Sequence, residues 1–179
     1  WYASSMVITV RNNFERRIGL WPAGFDNEGV MYCNTAFGDY PHYLPDGKTN
    51  HLDSRFTGWM LLNYNKPVQV SSTLGAFTAN NIVDENVKTY WSAKSANKGE
   101  WLMSDLGDVS TVYAVQINYT DQDVEFMGKS IGKYHQYKVY FSIYGKSWKT
   151  LIDKSKNTID VSHDYVELEK PVESRFLTM

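Results

Sequence analysis

The acidic residues are the part of this sequence that could carry out chemistry. Asp121, Asp123 and Glu125 form the densest acidic cluster and occupy alternate positions, so an extended segment would place them in one row. Glycoside hydrolysis usually needs two carboxylates facing each other about 5 to 9.5 Å apart, which one row does not supply. The cluster also departs from a calcium-binding EF loop, because Phe126 replaces the required glycine and Gly132 the terminal glutamate. A solvated loop is the favoured interpretation.

Other catalytic chemistry has no support in the sequence. The four histidines, at positions 42, 51, 135 and 163, show no metal-ligand spacing, and motifs of nucleotide-binding, zinc-protease and serine-hydrolase sites are absent. Cys33 is the only cysteine, which excludes an internal disulfide and a cysteine-rich zinc site. This chain is therefore predicted to be non-catalytic by itself.

A further acidic residue, Asp84, lies in the stretch NNIVDENVKTYWSA. Its carboxylate, the hydroxyl of Thr89 and the carbonyls of the turn from Asn81 to Val87 are hard oxygen ligands that suit one structural calcium ion. The same residues suit an Asx-type turn, in which Asp84 accepts hydrogen bonds from backbone N–H groups without a metal. The spacing leaves both interpretations open.

Composition limits the class of partner. The net charge is −2 and the basic residues are dispersed, so the sequence shows no basic surface for nucleic acid or an anionic membrane. No run of 18 apolar residues is present, so no transmembrane segment is predicted. Aromatic residues make up 15% of the chain, which favours β-sheets and stacking surfaces.

The elements that must position these residues are short strands. The pattern lacks long stretches of helical period, and in YKVYFSI the residues Tyr137, Val139, Phe141 and Ile143 alternate with polar neighbours. The predicted strands of the later part are Val68–Ser72, Trp101–Leu106, Val112–Tyr119, Tyr137–Ile143, Trp148–Ile152, Tyr165–Leu168 and Arg175–Thr178. Strands are also predicted within Met6–Val10, in RRIGLW and at Val30–Cys33. This pattern predicts an all-β sandwich or jelly roll.

Nine residues in two groups carry a resemblance to a known family. They are Val83, Asp84, Thr89 and Trp91, followed by Trp101, Leu102, Asp105, Leu106 and Gly107. Together with YKVYFSIYGKSW and ESRFLTM, they resemble the F5/8 type C, or discoidin, family, which overlaps family 32 of the carbohydrate-binding modules. The resemblance covers about Leu61 to Met179. It implies a discoidin-like jelly-roll β-sandwich, carbohydrate binding by loops at one end of the sandwich, and one structural calcium.

The sequence departs from this family pattern at two places. Glu85 stands where the family usually has glycine. The sequence ends at Met179, whereas family members continue through a strand whose glutamate helps to bind calcium, so the domain is predicted to be truncated at its C-terminus.

The first part of the chain is similar to a segment of a different family. FERRIGLWPAGFDNEGVMYCNTAFGDYPHYLP resembles the region that leaves the catalytic propeller in family 43 glycosidases. We therefore predict a β-rich remnant of a glycosidase domain at residues 1–45, a linker at 46–56 and an F5/8 type C domain at 57–179. The resemblance implies an upstream catalytic domain in the same protein and a secreted, periplasmic or cell-surface location.

The predicted function is non-catalytic binding of plant or host glycans, which would direct a polysaccharide-degrading hydrolase to its substrate. A protein- or lipid-head-group-binding discoidin module is the first alternative, and a part of the hydrolase itself is the second. A sugar site needs loop aromatics with polar neighbours. The candidate ligand-binding residues are Phe77, Asn80, Asn97, Phe126 and His135, and the candidate metal ligands are Asp84 and Thr89.

Overall fold

The computed structural model describes residues 2–9, 12–25, 27–33, 61–86, 88–120, 122, 134–161 and 163–179. The chain divides into two compact units, Trp1–Leu61 and Leu62–Met179. Over the described residues it is built from β-strands, and the single helical element there is a 3-10 turn at Ala79–Ile82. The prediction of an all-β fold is confirmed. No helix in these ranges is long and apolar enough to cross a membrane.

The first unit contains a three-stranded antiparallel sheet. Its strands are β1 (Tyr2–Thr9), β2 (Asn12–Phe25) and β3 (Met31–Cys33), and β2 lies in the middle. The first part of β2 pairs with β1, and its last three residues pair with β3. The β-rich character expected for this segment is present, while its origin in a glycosidase domain stays a prediction.

The second unit contains a five-stranded antiparallel sheet in the order β4-β5-β8-β6-β7. Its strands are β4 (Val68–Val70), β5 (Leu102–Asn118), β6 (Lys138–Ser142), β7 (Lys149–Asp153) and β8 (His163–Thr178). Each predicted strand of this region overlaps one of these five.

In two cases, two predicted strands are parts of one long strand. These long strands are β5 and β8. Gly107 is a residue type that is typical of turns, but it lies inside β5 with φ at +88°. At this point the pairing of β5 with β8 shifts register, between Asp105 and Ser110. Pro171 lies inside β8 at a second shift, between residues paired at Glu167 and Val172. A glycine or proline at a bulge interrupts the ladder without ending the strand, so the sequence signal for a break is misleading here.

The long strand β8 must bend to form the core. Val166 and Leu177 are eleven positions apart, and a straight strand would separate them by about 36 Å. Both nevertheless pack against the same buried cluster of Tyr137, Val139 and Ile152. The two ends of β8 therefore curl around β6 and β7, which is how one continuous sheet supplies both layers of a sandwich.

The alternation predicted for YKVYFSI holds over only half of its length. Tyr137 and Val139 are buried as predicted, but a register shift against β7 follows Val139. Beyond this shift Ser142 is buried, whereas the side chain of Ile143 is 36% exposed. One irregular residue changes which face of the strand the following side chains occupy.

Two ion pairs join distant parts of this sheet. Arg175 on β8 donates two hydrogen bonds, of 2.8 and 2.9 Å, to the two carboxylate oxygens of Asp105 on β5. Asp164 is buried and accepts hydrogen bonds from the hydroxyl of Tyr137 at 2.8 Å and from Nζ of Lys154 at 2.6 Å. Burial acts to raise the pKa of Asp164, but its bonds with Lys154 and Tyr137 outweigh burial and hold the pKa below the usual value.

We predict that Asp164→Asn lowers the free energy of unfolding by about 3 kcal/mol at neutral pH, because it leaves Lys154 without its buried partner. A carboxyl whose pKa is lower in the folded state stabilises the protein above its unfolded-state pKa. This contribution is lost as the pH falls toward and through the folded-state pKa. Urea unfolding at several acidic pH values should therefore show a steeper loss of stability for the wild type than for the variant.

Asp153→Asn is the matched control, because Asp153 pairs with Lys138 at 2.8 Å but its side chain is 46% exposed. It should change stability much less than Asp164→Asn does. Equal effects of the two substitutions would contradict a special role for the buried pair.

Candidate functional site

The segment that connects β4 to β5 begins at Ser71 and ends at Trp101, and its two ends meet beside this strand pair. We call the part before the 3-10 turn at Ala79–Ile82 and the part after it the two loops. Val70 pairs with Leu102, so the residues after β4 and those before β5 lie side by side. The N–H of Ser71 donates to the carbonyl of Trp101 at 2.9 Å. Farther along, the N–H of Leu74 donates to the carbonyl of Ser92 at 2.8 Å. These backbone bonds hold the two loops together as a continuation of the sheet.

A carboxylate lies where these loops meet. Oε2 of Glu100 accepts hydrogen bonds from the hydroxyls of Ser71 and Ser72, the latter at 2.7 Å, and Oε1 accepts one from Ser95 at 3.0 Å. We call Ser71, Ser72, Ser95 and Glu100 the Glu100 cluster. It joins residues from both loops around one half-buried acidic side chain.

The three serines of the Glu100 cluster are themselves held by the backbone. Ser71 Oγ accepts a hydrogen bond from the N–H of Trp101, and Ser72 Oγ accepts one from that of Lys94, both at 2.9 Å. The N–H of Asn97 donates to Ser95 Oγ at 3.3 Å. Because each hydroxyl accepts one of these bonds, its proton is directed toward Glu100.

This arrangement favours the ionised form of Glu100. The hydrogen bonds from Ser71 and then Ser72 lower its pKa, burial acts in the opposite direction, and the hydroxyl and backbone of Ser95 lower the pKa further. Among the described residues, no lysine or arginine forms an ion pair with Glu100. The loops therefore carry a fixed negative charge at neutral pH.

The aromatic residues of these loops have different roles. Trp91 donates its indole N–H to the carbonyl of Ser72 at 2.9 Å, so it supports the loop from within. Phe77 stacks on Tyr90, with ring centroids 4.5 Å apart and planes 17° apart. The side chain of Trp101 is 41% exposed, although its place in the motif suggests a structural role. Trp101 thus offers the apolar surface on which a sugar ring can stack.

The structure places the predicted ligand-binding residues in different regions. Phe77, Asn80 and Asn97 belong to the two loops or to the 3-10 turn between them, and Asn80 and Asn97 are exposed. His135 instead stacks on Tyr119, with ring centroids 3.7 Å apart. Phe126 lies outside the described residues.

His135 is further distinguished by its surroundings. Its carbonyl accepts a hydrogen bond from Asn157, and it shares no hydrogen bond or ring contact with the two loops in the described part of the chain. Burial lowers the pKa of the His135 imidazole, while Asp160 acts in the opposite direction. A neutral ring stacked on a tyrosine fits a packing role.

The structure brings the two candidate metal ligands, Asp84 and Thr89, into direct contact. Thr89 donates its hydroxyl to Asp84 Oδ2 at 2.6 Å, and the N–H of Asn86 donates to Oδ1 at 3.0 Å. This is the geometry of an Asx-type turn, and Glu85 within it has φ at +58°. Glycine adopts this conformation more easily than glutamate does.

The donor set of this turn suits calcium only in part. A carboxylate, a hydroxyl and the carbonyl of Asn86 are hard oxygen ligands. Within the described residues, however, no three acidic, histidine or cysteine side chains come together. The turn thus offers one carboxylate together with neutral oxygens as candidate calcium ligands.

Sequence reasoning missed the Glu100 cluster. Glu100 precedes Trp101 in a recognised motif, but its partners Ser71 and Ser72 lie 29 and 28 positions away. Serine and glutamate at such separation give no local signal. Only the pairing of β4 with β5 brings them together.

The fold and the matched sequence identify the class of this protein. The F5/8 type C domain profile matches residues 67–179, more than half of the chain. The chain belongs to the F5/8 type C domain family. No curated protein sequence matches it.

Solved structures with the same fold include two sugar-binding modules of Paenibacillus sp. IK-5. Chitosan-binding module 1 from a chitosanase/glucanase is 22% identical, with a TM-score of 0.54 over 65% of this chain and 82% of that one. Module 2, in complex with chitotriose, is 21% identical, with a TM-score of 0.54 over 66% and 84%.

A third similar structure comes from Clostridium perfringens. CpGH89CBM32-4, in complex with GlcNAc-α-1,4-galactose, is 18% identical, with a TM-score of 0.55 over 73% of this chain and 83% of that one. These likenesses establish the discoidin-like β-sandwich fold.

We predict that Asp84→Ala, measured in chelator, lowers the free energy of unfolding by about 1–2 kcal/mol, because Asn86 and Thr89 lose their acceptor. Asp84→Asn retains one carbonyl-type oxygen and should cost less. Urea unfolding of the three proteins measures the difference. An Asp84→Ala variant as stable as the wild type would show that the turn does not depend on this carboxylate.

Proposed function

We propose that this chain is a non-catalytic carbohydrate-binding module, and that the Glu100 cluster and Trp101 contact the glycan. The observation that carries the proposal is an exposed indole that directly follows Glu100 in the chain, the carboxylate to which hydroxyls of both loops donate. Sugars are bound by stacking on an aromatic ring while fixed polar groups take their hydroxyls. The family fold and the sugar-bound neighbours support this choice.

The proposed biological role is to hold a polysaccharide-degrading hydrolase near its substrate. An upstream catalytic domain linked to this module would experience a raised effective concentration of glycan. The likeness of residues 1–45 to a family 43 glycosidase segment supports this role. A secreted, periplasmic or cell-surface location follows from it, because plant and host glycans lie outside the cell.

We predict that Trp101→Ala weakens glycan binding by about tenfold, because it removes the stacking surface. A glycan array identifies the ligand, and calorimetry then compares the two proteins. Trp148→Ala is the matched control, since Trp148, immediately before β7, is 37% exposed but lies outside the loops. It should bind the glycan as the wild type does.

Two results would contradict this proposal. Equal losses of glycan affinity in both tryptophan variants would show that the glycan does not bind at these loops. Absence of binding to every glycan on the array, together with binding to liposomes or to a protein, would favour the alternative discoidin function.

We also retain calcium as a proposal, with Asp84 and Thr89 as its side-chain ligands. An ion bound only by the folded state stabilises it by about 2.7 kcal/mol at a hundredfold excess over Kd. The melting temperature should therefore rise with calcium and fall with chelator, and Asp84→Ala should abolish this response. Identical melting curves of the wild type in calcium and in chelator would show that Asp84 does not bind calcium and serves the Asx turn.

A further inference from the structure

The outer face of the β5–β8 pair carries polar side chains beside a tyrosine. Gln116 pairs with Tyr165, and Asn118 pairs with His163. Residues two positions apart on a strand share a face, and so do directly opposite partners. Ile117 lies between Gln116 and Asn118 and packs against the buried core cluster, so its neighbours point away from the core. All four residues of this set are exposed, and we call them the ladder face.

One oxygen atom fixes the polar groups of the ladder face. Asn118 Oδ1 accepts a hydrogen bond from Nε2 of Gln116 at 2.9 Å, and Nδ1 of His163 lies 2.9 Å from the same oxygen. Because a carbonyl oxygen only accepts, Nδ1 is the donor, and the neutral imidazole presents Nε2 as an acceptor. The opposite ends of the two amides are Nδ2 of Asn118, a donor, and Oε1 of Gln116, an acceptor. The ladder face thus presents one donor and two acceptors in fixed positions.

Tyr165 supplies an apolar surface beside these groups. It is 42% exposed, close to the 41% of Trp101 in the loops. It lies directly opposite Gln116, and its Cα is about 6.6 Å along the strand from that of His163. The aromatic ring and the fixed polar groups are therefore close enough to contact one sugar ring together.

The chemistry of the ladder face favours an uncharged ligand. Its polar groups are two amides and an imidazole, whereas carboxylate or sulfate groups are bound most strongly by arginine or lysine. Glu167 follows two positions after Tyr165 and so places a carboxylate on the same face, close to any anionic ligand. Adjacent sugar hydroxyls donate and accept at once, which matches a mixed set of donors and acceptors.

From this arrangement we infer a second glycan-binding surface on the ladder face, where a neutral sugar stacks on Tyr165 and bonds to the fixed amides and imidazole. This inference rests on the proposed carbohydrate-binding function, but it does not depend on the loops that carry Trp101. Two surfaces on one module would hold a long polysaccharide more tightly than either alone, because the second contact is intramolecular.

The test screens one array of neutral and acidic glycans with the wild type, Trp101→Ala and the double variant Trp101→Ala/Tyr165→Ala. We expect Trp101→Ala to retain binding to a subset of the neutral glycans. Calorimetry with these retained glycans should show about tenfold weaker binding by the double variant, because it lacks the second stacking surface.

Tyr144→Ala, combined with Trp101→Ala, is the matched control. Tyr144 is 80% exposed and lies between β6 and β7, outside the ladder face. Its removal should leave the affinity for the retained glycans unchanged. Equal losses in the Tyr144 and Tyr165 double variants would overturn the inference.

Asn118→Asp, also combined with Trp101→Ala, tests the polar part of the ladder face. A carboxylate at this position still accepts from Gln116 and His163 but no longer offers the Nδ2 donor. We expect about fivefold weaker binding of the retained glycans, which is the effect of one lost hydrogen bond. Unchanged affinity would show that the sugar does not contact Asn118 and would contradict the inferred surface.

Failure of the inference is distinguishable from failure of the proposed function. Loss of all glycan binding in Trp101→Ala, with binding by the wild type, would overturn the second surface and leave the loop site in place. Absence of wild-type binding to every glycan would instead overturn the proposed function, and this inference with it. The Trp101→Ala screen changes no residue of the ladder face, so it tests the inference even if the ladder-face variants do not fold.

Discussion

The bend in β8 is the constraint on which the rest of the second unit depends. A single strand that reaches both sides of the cluster of Tyr137, Val139 and Ile152 lets one sheet cover its own apolar face. The register shifts near Gly107 and Pro171 make this bend possible, because a bulge increases local twist at little cost. Without it, the same five strands would form an open sheet with one apolar face in water.

The ion pairs of the sheet act together with this bend. Asp105 and Arg175 join β5 to β8 beside one register shift, and Asp164 joins β8 to Tyr137 and Lys154. Both carboxylates belong to the frame of the sheet. Glu100 lies at its end and accepts hydrogen bonds from the hydroxyls of Ser72 and Ser95. Asp105 and Asp164 thus pair with cations, whereas serine hydroxyls hold Glu100.

The loop surface gains its rigidity from the same sheet. Ser71 extends the pairing of β4 with β5 by one backbone bond, and its hydroxyl then joins Trp101 and Glu100. A site held in this way loses little conformational freedom when it binds. Irregular loops can therefore present an ordered array of polar groups beside an exposed indole.

Much of the fold was predictable from local pattern. The strand positions followed from alternation and β-branched residues, and the hallmark residues from Val83 to Gly107 were enough to indicate the family. The limits of the strands were less predictable. Gly107 and Pro171 are compatible with a turn or with a bulge, and only the pairing partner decides between them.

The site was predictable only in outline. The sequence by itself determined the all-β class, the family and the loops that carry Phe77, Asn80 and Asn97, because these depend on residues close together in the chain. The tertiary structure alone decided that Ser71 and Ser72 reach Glu100, that Trp101 is exposed, and that His135 stacks on Tyr119 away from the loops. These contacts depend on strand pairing across long separations, and a hydroxyl or carboxylate carries no local signal of the partner to which pairing will bring it.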